Sequence, residues 1–430
     1  MSAATHPRAV LFIESNTSGT GRLFGRMARR LGYAPVLVTA KPERYAWLAD
    51  DDAPAVIVVP RVDEDELFGL IRGRFGGGAG VAGITSSSEY FIATAAALAA
   101  RFGLPGPDAS AVRAARDKSW QRRALAAGGV AVPAFRAVES ASGAVRAARE
   151  IGFPVVLKPV AGSGSVGVRA CANDDQVRRH AAALFAGSPE ERVLVEGFVH
   201  GPEFSVEMFN GRVVGITRKH LGAPPAFVES GHDYPAVVPA DVAAALTEAV
   251  TRGTELLGLG WGPLHWELRV SDGTAVPMEV NPRLAGGFIP ELVRHAQGID
   301  LIRETLRLVV GQAAEPAPAH HRHASIRFLF APGDGRLAEV EGVAEARTRP
   351  GVADVALYRG PGDELRIHGD FRDRVGHVMA CAADLEAASA AAEAARDAVR
   401  VVVRAELDED AAADAVAKEP MARVAREVAA

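Results

Sequence analysis

Cysteine, aromatic residues and long apolar runs are all scarce in this chain of 430 residues. Its two cysteines, Cys171 and Cys381, are too few for a disulfide framework or a cysteine-based zinc site, so we expect a protein of the reducing cytoplasm. The longest apolar run, residues 91–100, is far shorter than the roughly 20 residues that span a bilayer. Residues 1–7 lack the apolar segment of a signal peptide.

The chain also lacks an excess of basic residues, since its 48 Lys and Arg are slightly outnumbered by 53 Asp and Glu. A formal net charge of -5 argues against non-specific nucleic-acid binding, which requires a broad basic surface. The 48% hydrophobic and 23% charged residues are those of an ordinary globular protein, and the length predicts two to four domains. We therefore expect small-molecule partners, with no nucleic acid and no membrane.

Apolar segments alternate with helical patterns over residues 1–110, which predicts an N-terminal α/β domain with a parallel sheet. The predicted strands are residues 8–14, 34–39, 55–60 and 83–85, and the predicted helices end near residue 31 and span 88–102. Gly19 and Gly21, with Gly25, do not have the spacing of a dinucleotide fingerprint, and no acid closes the next strand. This segment is instead a candidate lining for a substrate cleft.

The rest of the chain predicts mixed α/β and α+β domains over residues 111–190, 191–312 and 325–430. Helices are predicted at 111–127, 142–151, 241–258 and 290–297, and strands at 154–158, 192–196, 203–209, 212–217, 265–270 and 278–284. Residues 311–324, rich in Ala, Pro and His, mark a boundary, and their histidines lack metal-ligand spacing. Beyond it, one helix at 384–399 and a helical tail from Asp408 are predicted.

Two neighbouring predicted strands carry the most informative side chains. The turn signal Asp272-Gly273 joins them in a hairpin, which places Glu267 opposite or nearly opposite Glu279. Asn281 shares a face with Glu279 because residues two apart on a strand point the same way. Facing carboxylates destabilise a sheet unless they bind a cation, and Arg283 follows directly. The pattern indicates Mg²⁺ together with nucleotide phosphates.

A second motif, residues 158–167, is a glycine-rich loop between two apolar segments. It predicts a hairpin and lacks the Gly-Lys-Ser/Thr ending of a P-loop. Its glycines allow backbone N–H groups to approach phosphate oxygens, with Lys158 as a point charge beside them. An exposed surface turn would have the same composition, so this loop alone leaves both interpretations open.

Three further groups are ambiguous when taken singly. Lys118 on a predicted helix fits a solvated face as well as a phosphate contact. The segment from Glu196 to Val199 at a strand end offers its backbone to a nucleotide base, and Glu203 offers a carboxylate to ribose hydroxyls. Exposed acids at a strand end are the alternative interpretation.

Taken together and in this order, the motifs resemble the ATP-grasp superfamily, over roughly residues 8–400. The Asp-Lys pair, the Val-Leu-Lys-Pro segment with its glycine loop, Glu-Gly-Phe-Val, and Glu-Val-Asn-Pro-Arg fall in the order typical of that superfamily. The resemblance implies a Rossmann-like N-terminal (pre-ATP-grasp) domain, a split ATP-grasp domain and a small C-terminal α+β domain. Residues 111–190 would be the smaller subdomain and residues 191–312 the larger one.

The resemblance also implies roles for individual residues. Lys118 and Lys158 would hold the α- and β-phosphates. The loop closing over the triphosphate would comprise Gly162, Ser163, Gly164, Ser165 and Gly167, and the segment along the adenine would comprise Glu196, Gly197, Phe198 and Val199, with Glu203 on the ribose. Glu267, Glu279 and Asn281 would ligate two Mg²⁺ ions, for which Mn²⁺ can substitute. Arg283 would lie beside the γ-phosphate and the acyl intermediate.

Within the superfamily, the chain is most similar to the L-amino-acid ligases, or dipeptide synthetases. Residues 229–236, 324–330 and 369–377 carry that similarity. His232 would contact substrate or phosphate, although a simple loop histidine is equally consistent. Glu89 would pair with a substrate ammonium, unless it only stabilises a helix N-terminus. Gly286 and Gly287 would present N–H groups to the acyl phosphate.

The activity implied is ATP-dependent joining of a carboxylate to an amine through an acyl phosphate, with a homodimer as the default assembly. Natural-product ligation with another nucleophile, such as intramolecular cyclisation or purine-type ligation, is an alternative within the fold. A non-catalytic ATP-binding regulator is an alternative from another class, but it would not require the intact set from Glu267 to Arg283. A biotin carboxylase is disfavoured because the chain has no Met-Lys-Met signature.

Overall fold

The first unit of the chain is a parallel sheet with strand order β3-β2-β1-β4, as the alternating pattern predicts. The computed structural model describes residues 7–17, 20–162, 164–188, 192–222 and 225–404. Its first elements are β1 (Ala9–Ile13), α1 (Gly21–Arg30), β2 (Ala34–Thr39), β3 (Ala55–Val58), α2 (Glu64–Arg74), β4 (Val81–Thr85) and α3 (Ile92–Arg101). Helix α2 is an addition to the prediction, and Gly19 lies outside the described residues.

The single helix predicted over residues 111–127 is wrong. Two helices are present instead, α4 (Ala109–Ala114) and α5 (Lys118–Ala127). Asp117 separates them because its extended backbone cannot continue a helix, and its side chain accepts the N–H of Trp120 as an N-cap. The break places Lys118 at the first position of α5, where its side chain turns toward the glycine-rich loop.

A second, four-stranded antiparallel sheet has the order β5-β8-β6-β7. Its elements are β5 (Phe135–Val138), α6 (Ala141–Ile151), β6 (Val155–Pro159), β7 (Arg169–Cys171), α7 (Asp174–Gly187) and β8 (Val193–Gly197). β6 and β7 pair as a hairpin, so the predicted hairpin around the glycine-rich loop is confirmed. Helices α6 and α7 share an apolar core with this sheet.

An eight-stranded sheet, ordered β13-β12-β9-β10-β11-β14-β18-β16, forms the centre of the molecule. Five of its strands come from residues 203–281: β9 (Glu203–Phe209), β10 (Arg212–Leu221), β11 (Glu229–Tyr234), β12 (Pro263–Ser271) and β13 (Thr274–Asn281). The helices of this part of the chain are α8 (Ala240–Leu257), α9 (Ile289–Gln297) and α10 (Leu301–Val309). The expected loop around His232 is in fact strand β11, since it pairs with both β10 and β14. Asp272 and Gly273 both have positive φ, as the predicted hairpin turn requires.

The C-terminal region supplies the remaining three strands of that sheet, β14, β18 and β16. Its elements are β14 (His323–Phe330), β15 (Gly335–Glu341), α11 (Val343–Thr348), β16 (Val352–Leu357), β17 (Glu364–Leu365), β18 (Arg374–Ala382), α12 (Leu385–Asp397) and β19 (Arg400–Arg404). Among the described strands of this region, β15, β17 and β19 form a separate sheet. Between residues 325 and 404 one helix was predicted, at 384–399, and two are found, because α11 is too short for its periodicity to be recognised. The predicted tail helix from Asp408 lies outside the described residues.

The two faces of the eight-stranded sheet differ in character. One face packs apolar side chains such as Phe204, Val206 and Trp266 against α8. The alternate residues of the same strands, including Glu203, Ser205 and Glu267, lie on the opposite face. That polar face carries the residues described below. Within the described ranges, no helix combines the length and apolar character needed to cross a membrane.

Candidate active site

The hairpin of β12 and β13 has the register that its sequence predicts. Glu267 lies opposite Glu279, and His265 lies opposite Asn281. Cationic side chains compensate both carboxylates, since Lys118 Nζ is 3.1 Å from Glu279 Oε1 and His265 Nε2 is 3.1 Å from Glu267 Oε1. Burial alone would raise the pKa of Glu267, but the neighbouring cations hold that pKa well below its ordinary value.

The donor set of this hairpin fits Mg²⁺. Glu267, Glu279 and Asn281 offer two carboxylates and one amide oxygen on a single face. Mg²⁺ typically binds one or two carboxylates and completes its shell with waters and substrate phosphates. No group of three or more His, Cys, Asp and Glu side chains suited to a metal ion occurs in the described part of the chain. The arrangement therefore suits an ion that phosphates help to hold, rather than a closed protein cage.

Lys219 is the centre of the polar face, and sequence reasoning missed it. Its Nζ lies 2.9 Å from Glu203, 2.7 Å from Glu229 and 3.2 Å from Glu267, and the residue is only 4% exposed. Burial would lower the pKa of Lys219, but the three carboxylates raise it well above its ordinary value. The one available signal was a basic triplet directly after the predicted strand at residues 212–217, which continues to Leu221.

A second buried cluster surrounds Lys158. Its Nζ is 2.5 Å from Glu196 Oε2, and Arg122 Nε donates to Glu196 Oε1 at 2.6 Å. Burial lowers the pKa of Lys158. Burial would raise the pKa of Glu196, but Arg122 and Lys158 together bring it below its ordinary value. Arg122 was not predicted. The Glu196 carboxylate is thus engaged by two cations, and its place beside an adenine stays a prediction.

Two hydrogen bonds hold the glycine-rich loop against residues 116–118, at the start of α5. The Lys118 ammonium donates to the carbonyl of Gly162, and Arg116 donates to the carbonyl of Ala161 at 2.6 Å. Further along, Gly164 and Ser165 both have positive φ, at 62° and 60°. Gly167 follows with φ 74°, whereas Ser163 lies outside the described residues. Such left-handed conformations suit glycine and turn successive N–H groups inward.

The segment after β8 is organised by Arg269. This guanidinium donates to the carbonyl of Val199 at 2.9 Å and contacts Glu203 at 3.1 Å. It also lies 5.4 Å from the ring of Phe198 and 5.3 Å from the ring of Phe227. Glu203 is therefore shared by Arg269 and Lys219. The backbone N–H of Gly197 donates to Ala134, and the N–H of Phe198 donates to Pro154. The roles predicted for this segment toward adenine and ribose stay predictions.

Glu89 joins the first unit to the end of the hairpin. Its carboxylate accepts from Arg283 Nε at 3.1 Å and from Arg116, and the residue is 6% exposed. Burial would raise the pKa of Glu89, but Arg283 and Arg116 bring it below its ordinary value. The predicted contact of Glu89 with a substrate ammonium stays a prediction, because this carboxylate already faces two guanidinium groups.

The buried ring of His232 packs beneath the glycines that precede α9. A Cβ added at Gly287 would lie 2.5 Å from His232 Nε2, whereas one at Gly286 would meet nothing within 4 Å. Both ring nitrogens are buried without a hydrogen-bond partner among the described residues, although Nε2 lies 3.6 Å from Glu229 Oε2. The ring meets Phe328 edge-on at 5.5 Å. Buried polar atoms usually have a hydrogen-bond partner, and the predicted contact of His232 with substrate or phosphate stays a prediction.

The pKa values of the two site histidines are shifted in opposite directions from the ordinary value. Burial lowers the pKa of His232 to about 3, so it stays neutral from pH 5 to 8. Burial would also lower the pKa of His265, but Glu207 and Glu267 raise it to about 9. His265 therefore contributes stability below its unfolded pKa of about 6.5, and this contribution is lost as the pH rises through about 9.

The pKa values of His232 and His265 can be measured by following their imidazole NMR signals with pH. The signals are assigned by comparison with the His232→Asn and His265→Gln variants. A His265 signal that titrates near its unfolded pKa would contradict the ion pairs with Glu207 and Glu267. A His232 signal that titrates between pH 5 and 8 would contradict its burial as a neutral ring.

Comparison with known proteins identifies two families along the chain. The ATP-grasp domain family matches residues 151–291, and the L-amino acid ligase C-terminal domain 2 matches residues 327–404. The structure is similar to that of an L-amino acid ligase from Bacillus licheniformis, with a TM-score of 0.79 and 22% identity over 93% of this chain and all of the other. At this identity the structural likeness establishes the fold.

Sequence relatives agree with this assignment. An uncharacterised Sinorhizobium fredii protein, y4rH, is 39% identical over 389 residues, covering 89% of this chain and 80% of that protein. Carnosine synthase 1 of Gallus gallus is 30% identical over 322 residues, or 68% of this chain, which spans only 34% of that larger protein. The chain belongs to the ATP-grasp family of carboxylate–amine ligases, in the group that carries the L-amino acid ligase C-terminal domain.

Proposed function

We propose that this ligase uses ATP to join a small amino-acid-like carboxylate to an amine through an acyl phosphate, releasing ADP and phosphate. One observation carries the proposal. The Lys118 ammonium contacts both the carbonyl of Gly162 in the glycine-rich loop and Glu279 of the hairpin. A single side chain thus joins the candidate triphosphate and metal groups, which are far apart in sequence.

The residues of this site suit phosphoryl transfer, which depends on positioning and charge neutralisation. Lys158, Lys118 and the N–H groups of the loop would bind the triphosphate. Glu267, Glu279 and Asn281 would hold Mg²⁺, and we propose two ions, which would neutralise charge developing between the phosphates. Arg283 would orient the carboxylate and its acyl phosphate.

The proposed reaction has two steps. A carboxylate oxygen attacks the γ-phosphorus, and the bond to the β–γ bridging oxygen breaks to release ADP. The amine nitrogen then attacks the acyl carbon, the carbon–oxygen bond to phosphate breaks, and the nitrogen loses a proton. Backbone N–H groups of Gly286 and Gly287, followed by helix α9, would stabilise the negative charge that develops on the acyl oxygen.

The substrates would meet around Arg283. His232, a neutral ring with one donor and one acceptor nitrogen, lies against Gly287, four residues beyond Arg283. Arg283 also lines a cavity beyond the carboxyl ends of β1 and β4, together with Ser86, Ser87, Thr305 and Trp261. Open α/β sheets bind ligands outside such strand ends. We propose that this cavity receives part of the second substrate.

A release assay for ADP and phosphate, run with pairs of amino acids and small carboxylic acids, tests the proposal. We expect release that requires one particular pair, with equal amounts of ADP, phosphate and coupled product. Release with a single substrate that cyclises would instead support intramolecular chemistry. If no combination releases ADP although ATP binds, the ligase proposal fails and the regulatory interpretation gains.

A further inference from the structure

Phe371 is an exposed aromatic residue in a motif that the proposed chemistry does not use. It begins a single 3-10 turn, Phe371–Asp373, directly before β18, and 43% of its surface is exposed. A single exposed apolar side chain is ordinary and does not by itself indicate a partner. The conformation of the surrounding segment and the contact of the ring itself both point to one.

Two buried aspartates fix the turn that carries the ring. The Asp370 carboxylate accepts two hydrogen bonds from Arg372, one from its backbone N–H at 3.0 Å and one from its guanidinium Nε at 2.8 Å. The Asp373 carboxylate accepts the N–H groups of His368 and Gly369, both at 2.7 Å. Asp370 is 4% exposed and Asp373 is 7% exposed. Both carboxylates are thus committed to the shape of the turn, which holds Phe371 in one direction.

The ring meets the glycine-rich loop at Gly164. A Cβ added there would lie 2.8 Å from Cε1 and 2.9 Å from Cδ1 of Phe371. The earlier part of the loop is fastened by Lys118 through Gly162, and its end is fastened by His180, whose Nε2 lies 2.9 Å from the Gly167 carbonyl. The ring of Phe371 therefore supports the loop between those two attachments.

We infer that Phe371 is a positioning residue that holds residues 164–167 over the triphosphate of bound ATP. The inference rests on the proposed function, because it assumes that this loop covers ATP. A glycine-rich segment loses much conformational freedom when it orders on a ligand. An apolar ring that restrains the free loop lowers this cost, and a covered site also keeps water from the acyl phosphate.

Phe371→Ala tests the inference through ATP binding. We expect the KM for ATP to rise about 10-fold, with a smaller change in kcat, and ADP release without coupled product to increase. The melting temperature without ATP should stay unchanged because the ring is half exposed, whereas the rise in melting temperature on adding MgATP should shrink. Phe371→Tyr should restore normal values. Ile367→Ala, another exposed apolar residue of the same segment, is the matched control and should change neither quantity.

A double-mutant cycle tests the contact itself. Gly164→Ala places a methyl group against the ring and strains a residue with φ 62°. We expect this substitution to raise the KM for ATP more in the chain with Phe371 than in the Phe371→Ala chain, because removing the ring relieves the collision. Independent effects of the two substitutions would overturn the contact.

Different results would overturn the positioning role of Phe371 and the proposed ligase function. A wild-type KM for ATP in Phe371→Ala, in an active enzyme, overturns the positioning role alone. If the wild-type chain releases no ADP with any substrate, the MgATP-induced shift in melting temperature still tests Phe371. Absence of that shift in the wild-type protein overturns both proposals.

Discussion

Glu279→Ala is expected to abolish ADP formation while the protein stays folded. Glu279 faces Glu267 across the hairpin and contacts Lys118, so its loss removes a candidate metal ligand and leaves Lys118 without this partner. Removing one preorganised electrostatic group from an active site reduces turnover on the order of 10²–10³-fold, and loss of metal adds to this. A coupled ADP assay at saturating ATP and Mg²⁺ measures the rate.

Arg283→Ala should have a similar effect through the acyl phosphate instead of the metal. The two variants separate by binding, since Glu279→Ala should weaken the stabilisation by MgATP, whereas Arg283→Ala should retain most of it. Glu248→Ala, on the exposed side of α8, is the control and should behave as wild type. Near-normal turnover by either site variant would refute the assignment of that residue.

Lys219→Met is expected to give the largest loss of stability. Lys219 is almost fully buried and is the one cation that contacts all three of Glu203, Glu229 and Glu267 among the described residues. Each carboxylate keeps one other cation, respectively Arg269, Arg374 and His265, but the buried cluster gains an excess negative charge. Removing one member of a buried ion pair typically costs about 3–5 kcal/mol in the free energy of unfolding. Urea unfolding at pH 7 measures the loss, and the exposed Lys41→Met is the matched control, for which we expect a change within about 0.5 kcal/mol.

The Lys219 effect should depend on pH in a defined direction. The pKa values of Glu229 and Glu267 lie well below the ordinary value in the wild-type protein. Burial raises them, but Lys219 lowers them more when its effect is combined with that of Arg374 at Glu229 and of His265 at Glu267. Such groups contribute stability above their unfolded pKa of about 4.3, and that contribution is lost as the pH falls through the folded pKa. The difference between wild type and Lys219→Met should therefore shrink on acidification below about pH 4. A difference that is constant with pH would show that lost packing, and not lost charge, destabilises the variant.

The sequence was sufficient for the parts of the site that local rules determine. The Asp272-Gly273 turn and the two-residue period of the strands fixed the register, and hence the pairing of Glu267 with Glu279. Glycine spacing and flanking apolar segments likewise predicted the hairpin around the loop at residues 158–167. Both features depend on neighbours within about twenty residues, which the amino-acid order displays directly.

Residues whose role arises from distant partners were not predictable in this way. Lys219 and Arg122 are ordinary basic residues until folding brings carboxylates of other strands beside them. Strand β11 was mistaken for a loop. It pairs with the nearby β10, but its other neighbour, β14, lies far along the chain. The break at Asp117 was missed because a capping aspartate also fits a solvated helix face. Long-range pairing and burial decided the cases of Lys219, Arg122 and β11, whereas the break at Asp117 is a local cap.

The pairing of β11 with β14 has a consequence for exchanging parts between related ligases. A cut in the linker at residues 311–324, where composition alone would divide the chain, leaves the edge of β11 exposed and separates His232 from its neighbour Phe328. An unpaired edge of this kind invites aggregation. A chimaera that takes its C-terminal part from another enzyme would therefore bring that enzyme's residue to the position of Phe328, and the surroundings of the His232 ring would change with the exchanged part.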